Sequence, residues 1–488
     1  MHRRLPNGLN AAAAKWLRLW QETGWVVLLS SYLAAIYLDL SWIEFLLIAL
    51  MLAALGAGAR TSTARMTAPD WNVLAILLFE IPSLLFSIDR ANSVRTTEAV
   101  IQAFAVYCIA RAVLRSPQQL AIVAVVLALG GCCIALPGIR EFHRNAVALA
   151  HAGFSDLVAF RSRLILPHGR WVVGEWFTLL LLLLPFAAAA PLYLWRMGRT
   201  GLALGATILA IPISVALVIS LSRAVLWSTV LFVLATWGLI RLFALTSTRA
   251  AATGAGLWLL LLSLIVVCAS AVDPGVLEAY LGSHPSQTRS NEGRFATWKR
   301  SARVVTAHPV WGVGSSNSAL ALAGTANESE TTGTVRSTFS LPLQLLVEKG
   351  TAGLVLYASL PILVGYRFLR GMRTYRLAAR GPAVPGVPLP KSGSQPLGPR
   401  ARSDERSAAK ALYCALAAGA AALLCRELVY ASLFSHALIL VLFALLLAVI
   451  ASAPEILNED SLLRPGEHGA ASAGPMDGRS IRSGRCQA

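Results

Sequence analysis

Arginine is the residue type through which this sequence is best equipped to do chemistry. Of its 42 basic residues only five are lysine, and arginine carries a permanent charge on a planar fork of donors that fits phosphate and carboxylate oxygens. Arg223 stands in ALVISLSRAVLWSTVLFVL, between two long apolar runs, with only Ser220 and Ser222 as polar company. A charge placed there is costly. It either faces a cavity or an anionic partner, or it snorkels from a helix end. Arg426, in AALLCRELVYASLF, has Glu427 beside it and the simpler explanation of a local ion pair or a snorkel. Glu44, Glu80 and Glu98 lie in or near early apolar runs and are ambiguous in the same way. The seven cysteines fall almost all inside apolar runs, with no CxxC pair and no Cys/His cluster at zinc spacing, so neither a disulfide framework nor a metal site is expected.

The elements that must position these residues are membrane helices. The chain has 488 residues, 56% hydrophobic and 14% charged, with mean hydropathy +0.64, outside the balance of a soluble domain. This predicts an all-α polytopic membrane protein. A net charge of +18 would suit nucleic acid, but the placement of the arginines argues against it. Twelve apolar runs are long enough or nearly so to cross a bilayer: 21–38, 41–58, 71–87, 98–114, 120–138, 173–194, 201–220, 224–244, 252–272, 342–366, 409–425 and 432–452. Several are short or carry a charge, so eleven to thirteen spans is the safe count.

Residues 1–20, with Arg3, Arg4, Lys15 and Arg18, read as a cytoplasmic segment anchored by the first run rather than as a cleaved signal. Twelve crossings put both ends in the cytoplasm. The cytoplasmic side then receives 26 basic and 12 acidic residues and the far side 16 and 12, as the enrichment of Lys and Arg in cytoplasmic loops requires. Spans one to nine occupy 21–272 and spans ten to twelve 342–452. A Pro/Gly/Arg-rich connector at about 367–408 and a polar tail at 453–488 read as disordered cytoplasmic segments.

Two segments on the far side, 139–172 and 273–341, are longer than any turn of the chain needs. The second is the large, partly helical loop. In it RFATWKRSARVVT at 294–306 reads as an amphipathic helix with Arg294, Trp298 and Val305 on one stripe, suited to the membrane surface. The far side should be poor in positive charge, yet it holds fourteen arginines: 90, 95, 140, 144, 161, 163, 170, 223, 289, 294, 300, 303, 336 and 426. An anionic ligand at the outer face is the simplest functional reading. The alternative is that they meet lipid phosphates or the carboxylates on that side.

Three segments resemble the O-antigen ligase and O-antigen polymerase superfamily of bacterial inner-membrane glycosyltransferases. SLSRAVLW at 220–227 is similar to the family's Ser-Arg at a helix start. NEGRFATWKRSARVVTAHPVWGVGSSN at 291–317 resembles its Gly-Arg, Trp, His-Pro, Gly-x-Gly run. LPLQLLVEKGTAGLVLY at 341–357 resembles its Leu-Gln-Leu-Leu-x-Glu-x-Gly return helix. LPHGRWVVGEWFTLLLLLLP at 166–185 is a weaker fourth likeness. Each motif alone is weak, and the ordered set, over about 190 residues, is fairly specific.

The resemblance implies that Arg223 and Arg294 bind the diphosphate of an undecaprenyl-diphosphate-linked saccharide donor, with Arg163 and Arg170 as further clamps. Arginines at the outer boundary can stabilise charge developing on a diphosphate leaving group without a metal or other cofactor. The acceptor would be another lipid-linked repeat unit or lipid A-core, and displacement at the anomeric carbon would be inverting. Ligases typically carry a His-Asn pair just before the return helix, where this sequence has Phe339 and Ser340. A general base must reach the acceptor hydroxyl, which leaves Glu348, His308 and Glu175 as candidates. Glu348 has the competing role of ordering the loop, and His308 that of a turn residue.

The missing pair tilts the expectation slightly toward a polymerase of O-antigen or exopolysaccharide, with the lipopolysaccharide ligase as the alternative. A transporter or flippase for an anionic lipid-linked substrate would also use many helices and outer arginines, but no repeated halves are present. An enzyme glycosylating protein Ser or Thr is a further minority reading. Membrane lipid is an expected partner and nucleic acid is not.

Overall fold

The computed structural model describes residues 24, 27–29, 31–35, 48, 66–114, 116–154, 156, 158, 173–246, 248–273, 275–281, 285–325, 338–378, 399–428, 433 and 436–462. Every regular element among them is a helix: α1 (Ala68–Leu85), α2 (Arg90–Val113), α3 (Pro117–His151), α4 (Val173–Arg196), α5 (Thr200–Ile219), α6 (Arg223–Leu242), α7 (Thr248–Val272), α8 (Gly275–Leu281), α9 (Pro285–Ala307), α10 (Ser318–Gly324), α11 (Leu341–Ala378), α12 (Pro399–Glu427) and α13 (Ala437–Leu462). Ten of these are long and apolar enough to span a membrane, and they coincide with ten of the twelve expected runs. Of the run at 21–38, residues 24, 27–29 and 31–35 are described and helical, and the run at 41–58 lies outside the described residues except for residue 48. The chain is an all-α, multi-pass membrane protein.

Local sequence sets where helices begin. The Asp70 carboxylate reaches back to the Thr67 amide at 2.8 Å and hydroxyl at 2.7 Å to start α1. Asp89 accepts from the Ala91 amide at 2.9 Å to start α2. Ser116 and Gln119 cap each other reciprocally at 3.2 Å, with Pro117 in the first turn of α3.

α4 is the hub. It packs against α12, α5 and α3, while α13 packs against α2, α11 and α12. Leu179–Leu184 and Phe186–Ala190 are buried, because a helix apolar on every side is surrounded by other helices. Small residues let backbones approach: a β-carbon on Gly419 of α12 would collide with Pro185 of α4, and one on Gly371 of α11 with Pro454 of α13. By contrast, α7 lies at the edge against α6, with Leu257, Leu260, Leu264 and Val267 exposed. That surface fits lipid.

Four boundaries differ from expectation. α3 continues past 138 to His151, carrying the start of the first long loop as helix. α11 continues to Ala378 and α12 begins at Pro399, so the connector expected at 367–408 is helical at both ends. α13 continues to Leu462, into the expected tail. In the α13 extension Glu455 pairs with Arg367 at 2.6 Å and with Arg111 at 2.5 Å, and Arg111 also pairs with Asp70 at 3.2 Å. This network ties α1, α2, α11 and α13 together at the opposite end of the bundle from the long loops.

Candidate active site at the loop-rich end

The corners 86–89 and 220–222, the end of α12, the start of α13 and the described residues of 273–340 all belong to one end of the bundle. The organising feature there is a break in α11. Gly350 has φ 65° and ψ −169°, a conformation that glycine alone adopts readily. The break frees two carbonyls and two amides that an unbroken helix would pair with each other. Residues 308–317, HPVWGVGSSN, take them up. The Val313 and Gly314 amides donate to the Val347 and Glu348 carbonyls, both at 2.9 Å, and the Thr351 and Ala352 amides donate to the Pro309 and Val310 carbonyls at 2.9 and 3.4 Å. Close approach requires Gly312 (φ 68°), where a β-carbon would enter the Glu348 backbone. The Gly-x-Gly and Glu-Lys-Gly motifs are therefore two halves of one joint.

The same loop is fastened to the α1–α2 corner. The Asn317 side-chain amide lies within donating distance of the Ser87 hydroxyl (2.7 Å), the Asp89 carbonyl (3.1 Å), the Val313 carbonyl (3.1 Å) and the Ser93 hydroxyl (3.2 Å). Two of these can be satisfied at once. Trp311 stacks between Phe79 and Phe86, with ring centroids 5.7 and 5.6 Å away.

Beneath the loop lies a buried charged cluster that sequence reasoning did not assemble. The Lys349 ammonium donates to both carboxylate oxygens of Glu80, at 2.6 Å to Oε2, and to the Ser315 hydroxyl at 2.5 Å. The Tyr357 hydroxyl donates to Glu80 at 2.5 Å. Lys349 and Glu80 are each 1% exposed. A signal was present: opposite charges inside two apolar runs call for a partner.

The expected site residues fall as follows. Glu348 is buried and its carboxylate accepts from the Ser316 amide at 3.0 Å and the Gln344 side chain at 3.1 Å, with the Ser318 hydroxyl as a third donor. His308 is exposed on the same loop. Arg294 is half-buried on α9, its guanidinium 5.8 Å from the centre of the Phe339 ring. Phe339 has φ 56°. Next to it, the Trp298 indole donates to the Thr338 carbonyl at 3.0 Å. The α9 helix extends from 285 to 307, and its buried residues are Thr297, Arg300, Ser301 and Val304. The expected stripe of Arg294, Trp298 and Val305 is only half-buried, beside that face.

Arg223 is half-buried at the first position of α6, after Leu221 with φ 50°. A cation at a helix N-terminus opposes the helix dipole, so helix stability does not explain it. The Tyr280 hydroxyl of α8 donates to the Val218 carbonyl, joining this corner to the segment that carries Arg294. Glu175 lies in the first turn of α4, next to Gly174, whose carbonyl accepts from Arg426 at 3.3 Å. Arg426 makes the anticipated local ion pair with Glu427 at 2.8 Å, both buried, and Glu427 also holds the Leu433 amide at 3.0 Å. Arg163 and Arg170 lie outside the described residues. Among the described residues no three His, Cys, Asp or Glu side chains converge as metal ligands would.

An apolar cavity of ≈ 210 Å³ runs down from this end between α1, α2, α11, α12 and α13, with Glu427 and Tyr357 among its lining residues. Fold and site thus define a multi-pass membrane protein with arginines and a glycine-locked loop gathered at one end. Residues 206–358, from α5 into α11, match the family model described as O-antigen ligase. The match bears out the resemblance to the O-antigen ligase and polymerase superfamily, and covers Arg223, Arg294, His308 and Glu348. No curated protein matches the chain.

Proposed function

We propose that this protein is a glycosyltransferase of the periplasmic face of the bacterial inner membrane, moving a saccharide from undecaprenyl diphosphate to an acceptor hydroxyl. The acceptor oxygen forms the new bond to the anomeric carbon, the bond from that carbon to the diphosphate breaks, and undecaprenyl diphosphate leaves with the electron pair. Arg223 and Arg294, with Arg163 and Arg170 as further clamps, bind the diphosphate and stabilise its developing charge. The apolar cavity suits part of an isoprenoid chain.

The observation that carries the choice within the superfamily is the pairing of Arg294 with Phe339. Phe339 stands where the ligases have their histidine, and its ring holds a guanidinium instead of presenting an imidazole. This supports a polymerase of O-antigen or exopolysaccharide, whose acceptor is a second lipid-linked unit, over the lipopolysaccharide ligase. Three hydrogen bonds already occupy the Glu348 carboxylate, so it positions the loop. His308 and Glu175 remain the candidates to take the acceptor proton.

The test is an assay of purified protein with a chelator present, offering undecaprenyl-diphosphate oligosaccharide with or without lipid A-core. Longer lipid-linked chains without lipid A-core support the polymerase. Transfer only when lipid A-core is added would establish a ligase working without the histidine, and no transfer to either acceptor would favour a transporter. Arg223→Ala and Arg294→Ala are each expected to lower transfer roughly 100-fold or more while leaving membrane insertion intact. A variant near wild-type activity removes that residue from the clamp.

A further inference from the structure

At the opposite end of the bundle from the candidate active site, a cavity of ≈ 620 Å³ lies between α3, α4 and α5. Its walls are Ala121, Ile122, Val125 and Val126 of α3 and Leu202, Ala206 and Leu209 of α5. Ile122 and Leu202 are exposed, so the cavity is a groove open sideways. Gly201 and Gly205 belong to the wall, and a β-carbon on either would meet nothing within 4 Å. From Gln118 to Val126, or from Arg199 to Leu209, the groove covers eight to ten helical residues, about 12–15 Å at ~1.5 Å per residue. That is one leaflet of a bilayer core of ~30 Å.

Among the described residues, Arg199 is the one charged residue lining the groove, at its mouth, and Glu405 of α12 lies just outside it. Arg199 is exposed there and takes no part in the ion pairs among the described residues. The Gln118 side chain donates to Glu405 at 3.2 Å. Tyr193 is 4% exposed and lines the groove. Its hydroxyl is closed off from the groove, and both Glu405 and Arg199 are near enough to act on it electrostatically.

We propose that this groove is a binding site for one zwitterionic aminophospholipid of the leaflet opposite the active site. The phosphate sits against the Arg199 guanidinium, the primary ammonium donates to Glu405, and one acyl chain lies along the glycine wall of α5. A simple anionic lipid would meet Arg199 equally well but would face Glu405 with no cation to offer. A helix of a second copy could use the Gly-x-x-x-Gly wall, but would leave the charges at and beside the mouth unmatched.

The experiment is native mass spectrometry of the full-length protein from nanodiscs containing equal parts phosphatidylethanolamine, phosphatidylglycerol and phosphatidylcholine. Retention of phosphatidylethanolamine above the other two is expected. Arg199→Ala should weaken it about tenfold, as loss of a charge-assisted contact does. Glu405→Gln should erase the preference over phosphatidylglycerol. Gly205→Leu, at a position with open space for its side chain, should abolish retention without unfolding the protein. Equal retention of phosphatidylglycerol, or retention that none of the three variants alters, overturns the proposal. A lipid-free dimer that Gly205→Leu splits overturns it in favour of a second copy.

Discussion

Lys349 shows how much a single side chain can commit a fold. One of only five lysines, it lies fully buried against Glu80, and removing one partner of such a pair leaves an uncompensated charge that costs about 3–5 kcal/mol. Lys349→Met is therefore expected to lower the thermal midpoint of the purified protein sharply. Adding Glu80→Gln should restore most of the loss, since a polar neutral pair of similar shape is tolerated far better. A midpoint unchanged in the single variant would show that the pair is not what holds the joint. Each residue of this pair was visible in the sequence as a charge inside an apolar run, but 269 positions separate them, and nothing local indicates which charge meets which. His436 carries a second prediction at this scale. Its Nδ1 accepts from the Leu438 amide at 3.2 Å at the start of α13, and burial pushes the imidazole down from 6.5 to about 4. Between those values the unfolded chain binds the proton that the folded chain refuses, so stability should fall as pH drops from 6.5 toward 4. His436→Asn keeps a cap acceptor and does not titrate, so a melting series across that window should be flatter for the variant.

Helices were legible where composition alone decides them. α4, with its leucine run and alanines, and α13 are apolar on all faces, and a run of that kind in a membrane chain has few alternatives. Helix ends were less legible, because α3, α11, α12 and α13 continue beyond the apolar runs wherever ion pairs or good helix formers carry them. The break in α11 was not legible at all as a break. LVEKGTAGLVL reads as one continuous span, and only the fit of HPVWGVG into the freed amides and carbonyls reveals why the two motifs occur together. Gly350→Ala tests this joint. Its β-carbon would enter the Val310 carbonyl, and the left-handed backbone adds roughly 1 kcal/mol or more of its own. Closing α11 into a regular helix would expel residues 309–314 from their pairing. Proteolysis within 308–317, slow in the wild type, is expected to become rapid in Gly350→Ala. Asn317→Ala should show a milder form of the same change, with about 1–3 kcal/mol lost from unmet acceptors at the α1–α2 corner.

The whole molecule separates its chemistry by end. Arg223, Arg294, the 308–317 loop and Glu348 gather where the long segments are, while the network of Arg111, Asp70, Arg367 and Glu455 and the groove at Arg199 lie at the other. The proposed orientation puts the segments joining α3 to α2, α5 to α4, α7 to α6 and α12 to α11 in the cytoplasm and the long segments outside, as the expected retention of Lys and Arg on the cytoplasmic side would have it. The orientation can be read directly from a cysteine-free variant expressed in cells. Ala302→Cys, on an exposed position of α9, should react with a membrane-impermeant maleimide in cells whose outer membrane alone has been opened. Asp404→Cys, exposed near the start of α12, should react only after the inner membrane is broken. The reverse pattern would place the arginines against the cytoplasm. There the lipid-linked sugars would be precursors under assembly rather than finished donors, and the proposed transfer would have no substrate on that face.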